Sequence, residues 1–167
     1  MEQTLEIRIE GYASPVARSL VADAMADLAE RYGGSGDGTP VAAHEFEPPN
    51  GVFLVAYVDG EPVGCAAWRT NAQDRSAAEI KRMYVRPAAR GRGVALALLR
   101  TVEDDARSAG RTRAILETGT RQPEAIALYE KAGYARIPDF GHHKDAPDVR
   151  SFGRPLSERT APPRRLD

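Results

Sequence analysis

The sequence predicts an α/β domain of the α+β kind, a mixed β-sheet covered by helices, and three observations carry that prediction. Between residues 77 and 119 a strand-like run, an arginine- and glycine-rich turn, an amphipathic helix and a second strand follow one another. Such a unit makes its two strands parallel neighbours. Residues 51–70 read as two strands joined at Asp59-Gly60, a hairpin signal, so antiparallel pairs belong to the same sheet. A length of 167 residues supplies one substantial core, and no shift in composition marks a second. A single domain is expected over 1–156, with 157–167 (SERTAPPRRLD) a flexible tail.

The elements follow in order. TLEIRIE (4–10) alternates Leu5, Ile7 and Ile9 with polar neighbours, the period of a half-buried strand. A helix follows, with Ser14 as N-cap, Pro15 at the first helical position, apolar spacing through Val16, Leu20, Ala24 and Leu28, and Gly33 at its end. Residues 33–50, rich in Gly and Pro, predict a flexible excursion with at most a short helix. After the hairpin comes a loop (NAQDRSA) and the strand AAEIKRMYV (77–85). The next helix, from about Gly91 to Gly110, places Ala95, Leu98, Leu99, Val102, Ala106 and Ala109 on one face and part of EDD (103–105) on the other. RAILETG (113–119) is a strand, PEAIALYEKAG (123–133) a short helix, YARIP a strand, and DVRSFGRPL (148–156) closes the sheet.

Composition excludes several functions. With 23 basic against 24 acidic residues the net charge is -1, which carries no polyanion signature and argues against nucleic-acid binding. Cys65, the single cysteine, forms no internal disulfide and no multi-Cys metal site; with His44 remote from His142 and His143, no catalytic metal is expected. No signal-like start and no apolar run of about 18 residues occurs, so a soluble cytoplasmic protein with no membrane partner is expected.

The turn VRPAARGRGVALALLR (85–100) carries the chemistry. A helix N-terminus ordinarily attracts acidic or hydroxyl side chains, yet this one begins with Arg90, Gly91, Arg92 and Gly93. An external anion held by the turn and the helix amides answers that oddity; a plain tight turn with solvated arginines is the alternative. Two rival cradles fail on inspection. No Gly-Lys-Ser/Thr triplet exists for a Walker loop, and Leu96 stands where a dinucleotide fingerprint starting at Gly91 needs its third glycine.

RGRGVA resembles the Arg/Gln-x-x-Gly-x-Gly/Ala signature of the GNAT acyltransferase superfamily, with Arg90, Gly93 and Ala95 at the defining positions. The likeness extends through AEIKRMYV and LETGTRQPEAIALYEKAGY, most of residues 52–140, and is nearest to small bacterial members described as amine or amino-acid N-acetyltransferases. The resemblance implies the GNAT fold, in which the strand at 77–85 bulges and splays from the strand at 113–119. It implies acetyl-CoA as donor, with its pyrophosphate held by Arg90, Gly91, Arg92, Gly93, Val94 and Ala95 and its pantetheine arm beside Met83, Tyr84 and Val85. Gln122, where many relatives have Asn, and Ala125 are further contact candidates. A homodimer, frequent in the family, is compatible with this sequence.

Acetyl transfer to an amine needs a base, a donor to the thioester oxygen and a proton for the leaving thiolate. A backbone amide at the strand bulge serves the oxygen. Glu79 is the first candidate base, lying eleven positions before Arg90 as in histone-type relatives; a glutamate neutralised by a neighbouring cation is the competing reading, and Glu117 is the reserve. Simple alternation would put Glu79, Lys81, Met83 and Val85 on one strand face and Ile80, Arg82 and Tyr84 on the other. Tyr129 matches the tyrosine many relatives place near the coenzyme sulfur, against the alternative of a tyrosine packed on the sheet. The expected function is therefore acetyl transfer to a small, amino-acid-like amine. Protein lysine or an N-terminal amine is the alternative acceptor, and a non-catalytic acyl-CoA-binding module the alternative role. His44, Glu45, Phe46, Glu117 and His143 are candidates for the acceptor pocket.

Overall fold

The computed structural model describes residues 3–156; the expected tail at 157–167 lies outside the described residues. The order is β1 (Leu5–Ile9), α1 (Pro15–Tyr32), β2 (Gly51–Val58), β3 (Glu61–Thr70), β4 (Ala77–Val85), α2 (Val94–Ser108), β5 (Arg113–Gly119), α3 (Pro123–Lys131), β6 (Ala135–Arg136) and β7 (Val149–Pro155). One seven-stranded sheet runs β1-β2-β3-β4-β5-β7-β6. Every pairing is antiparallel except β4 with β5.

Local signals account for most of these boundaries. The Ser14 side chain accepts a hydrogen bond from the Ala17 amide and caps α1, which Gly33 ends at φ 77°. Asp59 and Gly60 take φ 50° and 84°, the two left-handed residues that a tight hairpin turn requires. The 33–50 excursion holds only a one-turn 3-10 helix, Ala43–Phe46. YARIP shrinks to the two residues of β6.

The sheet divides the core. On one face Leu98, Leu99, Val102 and Ala106 of α2 pack against Val52, Leu54, Ala66 and Trp68. Leu98 and Leu99 are fully buried, and cutting either back to alanine costs about 2–5 kcal/mol. On the other face Ala17 and Leu20 of α1 cover Phe53, Val55 and Cys65. The fully buried Trp68 donates its indole N–H to Asp105 at 2.7 Å, with the Arg111 guanidinium 5.6 Å above the ring, and so joins β3 to α2.

Glu103 departs from the sequence expectation. Placed on the polar face of its helix by periodicity, it is 2% exposed, and it accepts hydrogen bonds from the Tyr134 hydroxyl at 2.7 Å and Arg100 at 2.8 Å. Arg154 of β7 lies 3.6 Å from the same carboxylate. Two cations and a phenol satisfy the buried charge, which is why the interior tolerates it.

The β4–β5 pair opens as expected. Its register runs only through Ala77, Ala78 and Glu79, opposite Arg113, Ala114 and Ile115; beyond Glu79 the strands part. On its other side β4 carries a bulge. Cys65 faces Tyr84 and Ala67 faces Lys81, so Arg82 and Met83 together oppose Ala66, and Arg82 takes φ 59°. The bulge overturns the simple alternation. Ile80, Met83 and Val85 pack together in the α2 cluster, Tyr84 packs against the α1 cluster, and Lys81 and Arg82 bond the same carboxylate.

Candidate active site

A cleft of about 340 Å³ opens where β4 and β5 part, within the range of small-ligand sites. Its walls come from α1, the bulged half of β4, the end of β5, α3 and the segment between β6 and β7. Of the residues singled out in the sequence, Met83, Tyr84, Gln122, Tyr129, Glu117 and His143 line it.

Glu79 does not line this cleft. It is 5% exposed and faces a second groove, where Arg69 donates to it at 3.2 Å. The same guanidinium donates to Glu45 at 3.1 Å and to the Pro40 carbonyl at 2.8 Å, fastening the excursion to β3. Glu45 and Phe46 thus serve structure here, Phe46 being buried against Tyr12 and Phe53.

Glu117 is the carboxylate in the main cleft. Its Oε2 accepts the His143 amide at 3.2 Å, while its Oε1 is buried with no protein partner among the described residues. Gly141 lies so close that a Cβ there would sit 2.1 Å from Oε1, so a side chain at that position would displace the Glu117 carboxylate. Burial pushes the Glu117 carboxyl above the usual carboxylate range, and the Lys81 charge opposes that shift only in part. A proton acceptor of this kind suits amine chemistry better than a carboxylate locked in an ion pair.

Tyr129, 5% exposed, packs near Tyr134 and Phe152, with ring centres 5.8 and 6.5 Å away. Burial raises its phenol well above the ordinary value, so it stays protonated at neutral pH and can only donate or neutrally accept. No described protein group hydrogen-bonds its hydroxyl.

Asp37 was not identified in the sequence, and it is the hub of a hydrogen-bonded cluster lining the cleft. It accepts hydrogen bonds from Arg82 at 2.9 Å, Lys81 at 3.1 Å, His143 at 2.8 Å and the Thr39 amide at 2.9 Å. Burial alone would raise its carboxyl, but the Lys81 charge and the bonds from Thr39 and His143 outweigh it and hold the group well below the usual carboxylate range. Its own amide donates to the Met25 sulfur at 3.2 Å, which ties it to α1. Two adjacent cations, Lys81 and Arg82, in a strand whose one carboxylate is Glu79 were the available signal, because buried charges require a partner.

The turn before α2 is bare backbone. Gly91 and Gly93 take φ 79° and 81° with nothing within 4 Å of where a Cβ would stand. Gly93 caps α2 without a side-chain hydrogen bond, and the first turn holds no acidic residue, so its amides are open to an anion. Arg90 donates to the Val85 carbonyl at 2.9 Å, binding the turn to β4. Arg92 donates to Gln3 at 2.6 Å and so leans toward the N-terminal strand. Val94 is buried and offers only its amide, while Ala95 and Ala125 are partly buried against the core. Gln122 precedes α3 and accepts from the Tyr32 hydroxyl at 3.3 Å.

The sequence profile of the acetyltransferase (GNAT) family matches residues 21–134, which include the turn, the bulge and Tyr129. The chain belongs to the GNAT acetyltransferase family. An IAA acetyltransferase of Azospirillum brasilense is 41% identical over 104 residues, 62% of this chain and 67% of that protein. The N-acetylaspartate synthetase of Rattus norvegicus is 32% identical over 107 residues, 64% of this chain; the match spans only 36% of that relative's length. Among solved structures, a Klebsiella pneumoniae protein assigned to the acyl-CoA N-acyltransferases superposes with a TM-score of 0.75 at 27% identity, covering 92% of this chain and 98% of the other. The GNAT family's co-substrate is acetyl-CoA. Among the described residues no cluster of His, Cys, Asp or Glu is placed to hold a metal, and no helix is long and apolar enough to cross a membrane.

Proposed function

We propose that the chain transfers an acetyl group from acetyl-CoA directly to the primary amine of a small, amino-acid-like molecule. The observation that carries this reading is the convergence of an unpartnered Glu117 oxygen and the Tyr129 hydroxyl on one cleft, at the point where β4 leaves β5. The open amides of residues 91–95 and the turn arginines, Arg90 above all, would hold the pyrophosphate. The unpaired edge of β4 at Met83, Tyr84 and Val85 would take the pantetheine arm, with Gln122 and Ala125 beside it.

The amine nitrogen attacks the thioester carbon; a C–N bond forms as the C–S bond breaks. Glu117 takes the ammonium proton, and the burial that raises its carboxyl makes it a better proton acceptor than an ordinary solvated carboxylate. Tyr129 gives its proton to the departing thiolate. Glu79, the first candidate in the sequence, becomes the second here, because it can act as the base only when Arg69 releases it. A small acceptor agrees with the cleft volume of about 340 Å³, and the Azospirillum and rat relatives are named for small-molecule acetylation.

An amine panel read by mass spectrometry and by thiol release tests this, with Tyr129→Phe, Glu117→Gln and Glu79→Gln compared on whichever acceptor reacts. Turnover of a small amine that falls most with the first two substitutions is the expected result. Coenzyme binding with no turnover on any small amine would sink it in favour of a binding module, and turnover confined to peptide lysines or N-termini would move the acceptor to protein.

A further inference from the structure

The β4 bulge is held in place from outside the strand. Arg82 is a non-glycine residue in the left-handed region, a strained conformation that persists only where the surroundings hold it. Three groups impose it. The Cys65 thiol donates to the Arg82 carbonyl at 3.1 Å, the Tyr12 hydroxyl accepts from Nε at 3.4 Å, and Asp37 accepts from Nη1 at 2.9 Å. The Arg82 side chain is only 4% exposed, so its ion pair with Asp37 is shielded from water. Cys65 and Tyr12 belong to elements already packed under α1. Asp37 alone comes from the 33–50 excursion, and it also accepts from His143 of the segment between β6 and β7.

We infer that Asp37 is a positioning residue for catalysis: by gripping Arg82 it fixes the bulge that aims a backbone N–H at the thioester oxygen, and it does so only when the two acceptor-side segments are seated. The same carboxylate therefore closes the acceptor chamber and aligns the donor of the oxyanion hydrogen bond. A bulge takes a residue out of the ladder and re-aims its peptide groups, so a change in the Arg82 backbone is a change in where that N–H points. Acceptor-side order and carbonyl polarisation are then one event rather than two. This rests on the acetyl-transfer reading of the cleft.

The test uses the full chain and two ligands, acetyl-CoA labelled at its carbonyl carbon and free CoA. In the wild type the carbonyl resonance should move downfield on binding. In Asp37→Asn that displacement should be lost while the affinity for free CoA stays within about twofold, and kcat on a reactive amine should fall about a hundredfold, the worth of one oxyanion donor. Arg82→Gly and Arg82→Ala provide a second line. Both lack the guanidinium, but glycine adopts the left-handed conformation freely, so Arg82→Gly should retain more of the downfield displacement than Arg82→Ala. Adding Asp37→Asn to Arg82→Gly should lower kcat by a smaller factor than the same substitution does in the wild type. An Asp37→Asn variant with a wild-type resonance and a raised acceptor KM alone would overturn the inference, as would equal behaviour of the two Arg82 variants. Failure of the wild type to bind either ligand would instead remove the acetyl-transfer reading on which it stands.

Discussion

The two sides of the cleft are built from different materials. The side proposed for the coenzyme is backbone: two left-handed glycines, an uncapped helix start and an unpaired strand edge. The side proposed for the acceptor is side chains: Asp37, Lys81, Arg82 and His143 in one hydrogen-bonded knot, with Glu117 next to it. Backbone presents the same N–H groups whatever the neighbouring side chains, so it suits a ligand part that never varies. A side-chain knot can be retied by single substitutions, which suits the part that decides what is acetylated.

Substitutions should expose that difference, the largest effect coming from the backbone side. Gly93→Glu adds a Cβ at φ 81° and a negative charge where an anion is to bind; CoA affinity should fall at least about a hundredfold, with a stability cost of only about 1–2 kcal/mol for a non-glycine residue in that conformation. Calorimetric titration beside a thermal melt checks both, and unchanged affinity would remove the coenzyme from this turn. Tyr129→Phe deletes one oxygen at the shared end of the two walls. Its kcat should drop by about 10²-fold or more with CoA affinity retained, as steady-state kinetics would report.

Glu117→Gln separates chemistry from stability. Since the folded protein raises the Glu117 carboxyl above its unfolded value, the favourable contribution is complete below the unfolded value and is lost as pH rises through the folded one. At neutral pH the wild type bears the cost of a desolvated charge, so Glu117→Gln should melt higher there and lose that advantage in acid. Asp37 has the opposite sign: its lowered carboxyl stabilises the fold above the unfolded value and ceases to as pH falls through the folded one. Asp37→Asn should therefore melt lower than wild type at neutral pH, and paired melts at two pH values should move the variants in opposite directions. The smallest change is Arg92→Ala. This side chain already leans to Gln3, so coenzyme affinity should weaken only a few-fold, and less at high salt.

The same division governs what could be read from the sequence. The bounds of β4 and β5, the Asp59-Gly60 turn, the Ser14 cap and the glycine turn before α2 are written in consecutive residues, because each depends on local dihedral preference and period. The resemblance carried by RGRGVA and the residues around it added the splay of β4 from β5, which the structure has. Arg82 was misplaced because its conformation is imposed from Cys65, Tyr12 and Asp37, none of them near it in sequence. Glu103 was misplaced because periodicity assigns a face and cannot see that Tyr134 and Arg154 wait beneath it. Glu79 had both of its readings open in the sequence, and its ion pair with Arg69 is the tertiary contact that alternation alone could not supply.

Trp68 gives the molecule a built-in lamp. It is the sole tryptophan, fully buried, and its indole N–H ends on Asp105 of α2 on the face of the sheet that carries that helix. Intrinsic emission excited at the indole band therefore reports chiefly on the packing of α2 against β3. A denaturation curve followed by this light measures how firmly the coenzyme side is mounted, and a companion probe on the 33–50 excursion would show whether the acceptor side comes loose first.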